Sequence, residues 1–114
     1  MPNDMTWVQI LLLMLAGHAL ADYPLQGDFV AQFKNRHTKA DQRIWPWVLS
    51  AHAAIHAAVV GLITGSTLLG VLEFAIHWII DLLKCEKRYG FHTDQLLHLG
   101  CKLLWVLVLL QQSH

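Results

Sequence analysis

Charge is what this sequence has least of. Asp, Glu, Lys and Arg together make up 14% of its 114 residues, against about 25% in ordinary soluble domains. A chain so poor in charge, and 55% hydrophobic, is neither disordered nor a coiled coil. Eight Lys and Arg balance eight Asp and Glu. With no basic excess, no nucleic-acid partner is expected. Cysteine is scarce as well: Cys85 and Cys101 are too few for a disulfide scaffold and lack the spacing of a zinc knuckle. Both are expected as free thiols. No internal repeat or low-complexity tract is visible, and the length suits one domain spanning residues 1–114. Histidine is the opposite case. Eight in 114 residues is far above ordinary usage, and that excess is the main pointer to function.

Four apolar stretches cover about residues 5–21, 44–64, 67–83 and 95–110. Each is near the ~17–25 residues a membrane-spanning helix needs. Each is apolar around most of its circumference, and residues 10–15 and 103–110 offer no polar face for water. The expected fold is therefore all-α: an integral membrane four-helix bundle of up-down-up-down topology, with the lipid bilayer as its solvent. A soluble four-helix bundle is the rival. Within the polar stretch after the first span, residues 28–34 read as a short interfacial helix with Phe29, Val30 and Phe33 on its apolar side. The turn around Gly65 and Ser66 is short enough to make the second and third spans antiparallel neighbours. Ala53, Ala57, Gly61 and Gly65 form a small-residue stripe where another helix can come close. Ala19-Leu20-Ala21 imitates a signal-peptidase site, but Met1-Pro2-Asn3-Asp4 carries no Lys or Arg, so cleavage is not expected.

Lys34, Arg36, Lys39 and Arg43 follow the first span, and Lys84, Lys87 and Arg88 follow the third. The first four residues, the Ser66 turn and the last four residues hold no basic residue. The positive-inside rule then puts both basic loops in the cytoplasm and both termini outside. Trp7, Trp45 and Trp47 sit where interface anchors would.

The ionisable residues of the spans fall into pairs: His18 and Asp22, His52 and His56, His77 and Asp81, Asp94 and His98. Every pair is spaced i, i+4, so each projects from one face of its helix. The assumed topology brings all four to one depth at the cytoplasmic side. Taken singly, each has an ordinary explanation, such as Asp94 complementing a helix N-terminus or an interfacial His satisfying a carbonyl. Taken together, ionisable groups at such depths face a bundle interior or a cavity. Five imidazoles and three carboxylates are a ligand set for a divalent transition metal, with zinc expected first. Eight groups suffice for two ions, or for one ion with carboxylates orienting its imidazoles. The His52/His56 pair lacks the adjacent Glu of zinc metalloproteases, since Ala53 follows His52. Gln26 and Gln95 stand beside the layer. Lys84 is a candidate for neutralising a substrate oxyanion, with a snorkelling anchor as its alternative. Glu73 lies one turn deeper than His77 with no partner evident. His37, His92 and His114 lie outside the core layer.

The ordered blocks His18-Ala-Leu-Ala-Asp22-Tyr-Pro-Leu-Gln26, His77-Trp-Ile-Ile-Asp81-Leu-Leu-Lys84 and Asp94-Gln95-Leu-Leu-His98 resemble a family of small membrane proteins of bacteria and phages catalogued only as a domain of unknown function. The resemblance spans nearly the whole chain. It implies a multi-helix membrane protein with a shared polar layer, and no substrate. A more distant similarity, of composition and architecture, is to small bacterial membrane proteins termed metal-dependent hydrolases. The leading expectation is therefore a membrane-embedded metal-dependent hydrolase acting on a lipid head group or other phosphate ester. Asp22 and Asp94 would move protons, and Lys84 would face the substrate. One rival is a metal-ion or proton relay, disfavoured because no polar residue is expected to continue the path outward on the second or last helix. The other is a non-enzymatic phage or bacterial accessory protein with a structural metal or polar core.

Overall fold

The computed structural model describes residues 5–23, 25–37 and 43–112. Five helices follow in chain order: α1 (Trp7–Asp22), α2 (Gly27–Phe33), α3 (Trp45–Thr64), α4 (Thr67–Cys85) and α5 (Phe91–Gln112). The four long helices match the four apolar stretches. The short α2 falls one residue earlier than the sequence reading placed it.

Local chemistry explains most of the ends. Thr6 and Gln9 form a capping box at the start of α1: the Gln9 N–H donates to Thr6 Oγ1, and the Thr6 N–H to Gln9 Oε1. Pro46 lies in the first turn of α3, where its missing N–H costs nothing. Gly65 ends α3 at φ 69°, a left-handed conformation that glycine adopts without strain. Ser66 then caps α4 by accepting from the Leu69 N–H at 3.2 Å. Several helix ends fall one or two residues from expectation, and two helices are extended towards each other. α4 runs on to Cys85, and α5 begins at Phe91 directly after Gly90. The second shift puts Asp94 in the first helical turn.

α1, α3, α4 and α5 close into a ring in which α3 packs on α1 and α4, and α5 on α1 and α4; α2 lies against α3. The α3–α4 seam is the tightest. A Cβ on Gly70 would stand 3.2 Å from the Ala57 carbonyl oxygen and 3.4 Å from the Gly61 Cα. The small-residue stripe of α3 thus meets α4, as its spacing suggested. Together the elements form a rod of 49 × 22 × 22 Å.

The interior has two unlike halves. At the end holding the start of α1 and the Gly65 turn, Ile10, Met14, Val60, Leu69, Trp105, Val106 and Leu109 form an apolar cluster. Towards the other end lie the buried polar side chains His18, Lys34, His52, His56, Glu73, His77, Asp81, Asp94, His98 and Lys102. The surface reverses the usual order, with Leu62 at 84% and Leu96 at 68% exposed among many exposed Leu, Val and Ile. Both α3 and α5 are long and apolar enough to cross a membrane by length and composition.

Candidate metal centre

Each long helix contributes its i, i+4 pair to the polar half. Asp22, at the end of α1, is the hub. Its Oδ1 lies 3.2 Å from both His52 Nε2 and His56 Nε2, and its Oδ2 accepts from Gln95 Nε2 at 2.9 Å. Gln95 Oε1 in turn meets His18 Nε2 at 3.2 Å and accepts from the Tyr23 hydroxyl at 2.9 Å. The five imidazoles form a stack and its flanks. His77 lies between His56, at 3.8 Å between ring centroids, and His98, at 4.3 Å; His18 lies 5.2 Å from both His56 and His98.

One potential ligand atom from each of Asp22, His52, His56 and His77 falls within a group no wider than 4.8 Å. Three imidazoles and a carboxylate at that spacing could hold a metal ion; it is a donor set that zinc, iron, manganese or nickel accepts. The hydrogen bonding is also incomplete. Among the described residues, neither ring nitrogen of His77 has a hydrogen-bond partner, nor does Nδ1 of His52 or His18. Buried polar atoms are normally satisfied, so these unpartnered imidazole nitrogens fit a metal-binding role.

The other sequence candidates border this quartet. His18 and His98 flank the ring stack. Asp94 Oδ1 is 3.3 Å from His98 Nε2. Asp81 Oδ2 is 3.6 Å from His52 Nε2, but it also accepts from Lys34 Nζ at 2.8 Å. Lys84 is partly exposed, with its Nζ 3.8 Å from Asp94 Oδ2 and 5.2 Å from the centroid of Phe91. His37 and His92 are exposed and outside the cluster, while His114 lies outside the described residues.

Three participants escaped the sequence reading. Lys34 reads as one basic loop residue among several, yet it is buried on Asp81 with Gln26 as a second acceptor. Lys102 pairs with Glu73, whose other oxygen accepts from Trp105 Nε1 at 2.8 Å. This corrects the expectation that no polar residue of the last helix continues beyond the layer. A signal was present: Glu73, His77 and Asp81 on α4, and Asp94, His98 and Lys102 on α5, are both three-rung ladders at a four-residue step.

At the rim, Arg36 and His37 both bond Glu86, at the end of α4. Arg36 and His37 hold the Glu86 carboxyl down at about 2. The Tyr89 hydroxyl bonds the Ile80 carbonyl, and burial, reinforced by Asp94 and Asp81, pushes it up to about 12. Cys85 and Cys101 are free thiols.

No curated protein and no solved structure matches the chain. A family model described as "Protein of unknown function (DUF3307)" matches residues 10–114, a span that contains every residue of the quartet and its flanks. The chain belongs to the DUF3307 family.

Proposed function

We propose that this chain is a multi-pass membrane protein that binds a divalent transition metal in its His/Asp layer and hydrolyses a phosphate ester, such as a lipid head group, at the cytoplasmic face. The observation that carries the reading is the quartet of Asp22, His52, His56 and His77, with ligand atoms within 4.8 Å of one another and with both His77 nitrogens unpartnered among the described residues. The membrane part draws support from the inverted polarity of the bundle. Its Leu-rich surface would be costly in water and suits lipid, while its ionisable residues face inward. The 22 residues of α5 extend about 33 Å at 1.5 Å per residue, enough for a ~30 Å hydrocarbon core. The basic residues beside Lys34 and Lys84 support a cytoplasmic site.

Held by Asp22, His52, His56 and His77, a divalent ion would supply Lewis acidity for water activation and phosphoryl polarisation. Around it, Asp22 would orient His52 and His56, Asp94 would take up a proton beside His98, and Lys84 at the rim would neutralise an anionic substrate. Glu73 and Lys102 favour a second reading, a proton or metal-ion relay, because they carry polar groups past His77. The apolar cluster around Ile10, Leu69 and Leu109 closes that end of the bundle, which counts against a through path.

Elemental analysis of detergent-purified protein, with and without chelator, tests the proposal. At least one equivalent of metal is expected. His52→Ala and His77→Ala should lose it and His37→Ala should keep it. Chelator-sensitive phosphate release from phospholipid vesicles should follow the same pattern. Folded wild-type protein with no metal, and no thermal stabilisation by zinc, manganese, iron or nickel, refutes the metal centre. Ion flux in sealed vesicles without ester hydrolysis would favour the relay.

A further inference from the structure

The Glu73–Lys102 ion pair stands out because it lies outside the metal quartet and the hydrolytic reading gives it no part. Both side chains are 1% exposed, and the pair adjoins the apolar cluster through Trp105. Taking two charges out of water is costly, and apolar side chains of similar volume fill such a space at no worse stability. The pair therefore calls for a role beyond filling space.

Its geometry points one way. Lys102 Nζ holds Glu73 Oε1 and Trp105 Nε1 holds Oε2, so the carboxylate is fixed at both oxygens. The same Oε1 lies 3.7 Å from His77 Nδ1, one helical turn along α4. The His77 ring plane is set by stacking between His56 and His98. An ionised carboxylate only accepts. A negative carboxylate held 3.7 Å from Nδ1 favours the tautomer protonated there. The Nε2 lone pair is then left for a ligand. Carboxylate–histidine pairs of this kind orient imidazoles towards metals.

We infer that Glu73, clamped by Lys102 and Trp105, is a positioning residue that fixes the tautomer of His77 and turns its Nε2 lone pair to the Asp22–His52–His56 group. This inference rests on the metal-centre reading and deepens it. The test uses ¹⁵N-imidazole spectra of the chelator-treated, detergent-solubilised chain, alongside zinc titration. In wild type, His77 is expected to be protonated at Nδ1. In the double variant Glu73→Leu/Lys102→Met, which removes both charges, that preference should be lost and zinc affinity should fall about 10- to 100-fold. Glu73→Gln/Lys102→Met keeps an acceptor oxygen and should recover part of both; it also serves if the first variant does not fold. Protonation of wild-type His77 at Nε2 overturns the inference, as does unchanged zinc affinity in a folded first variant. Because the tautomer is read without metal, failure of the positioning role is distinguishable from failure of zinc to bind wild type.

Discussion

At the scale of single residues, the polar half is organised by pairing. Lys34 shows what a lone change would cost. Its ammonium sits on Asp81 with both side chains nearly excluded from solvent, so Lys34→Met strands a buried carboxylate. We expect a loss of about 3–5 kcal/mol, as for other broken buried pairs. Lys34→Met/Asp81→Asn should recover most of it, and unfolding in a graded denaturing detergent reads both. The four i, i+4 pairs of the layer were legible in the sequence because their spacing is a property of one helix at a time. The Lys34–Asp81 and Lys102–Glu73 pairs were not, because each joins distant elements. A lysine in a basic loop and a lysine in a Leu-rich helix look alike whether they meet water, lipid or a carboxylate. Lys102 was recoverable only as the third rung after Asp94 and His98.

Among elements, the four long helices were legible from their apolar runs, with the Gly65–Ser66 turn marking the break between α3 and α4, whereas the Thr6–Gln9 box that starts α1 was not read. Nor was the early start of α5, since residues 91–94 are more polar than the apolar run that defined the span. The closeness of α3 and α4 gives a matched pair of tests. Gly70→Val puts branched carbon atoms against the Ala57 carbonyl and should destabilise by about 1–3 kcal/mol. Gly100→Ala has nothing within 4 Å of the new methyl and should be neutral or stabilising by about 0.5–1 kcal/mol, since it relieves a helix-interior glycine. Thermal melts of the two variants check this. The segment after α1 is tied to the end of α4 through Glu86. A carboxyl held at about 2 rather than its ordinary 4.5 contributes its stabilisation fully above pH 4.5 and loses it as pH falls through 2. Limited acid proteolysis should therefore cut next to α2 increasingly over that window. Glu86→Gln should be cut to the same extent at either end of it.

At the scale of the whole molecule, the proposed orientation rests on the basic residues of the loops after α1 and α4, against none in the first or last four residues. Reporter fusions at the C-terminus should give a periplasmic signal; a cytoplasmic one would turn the site to the opposite face. The seam at Gly61 and Gly70 also bears on biogenesis. In a bilayer α4 would enter poorly by itself, because Glu73, Asp81 and Lys84 interrupt its apolar run, whereas α3 has the length and hydropathy to enter alone. With only Gly65 and Ser66 between them, α3 and α4 would be threaded into the membrane as a preformed hairpin. The histidines of the first helix would then be the earliest partners offered to the acids of the second, before α5 has left the ribosome.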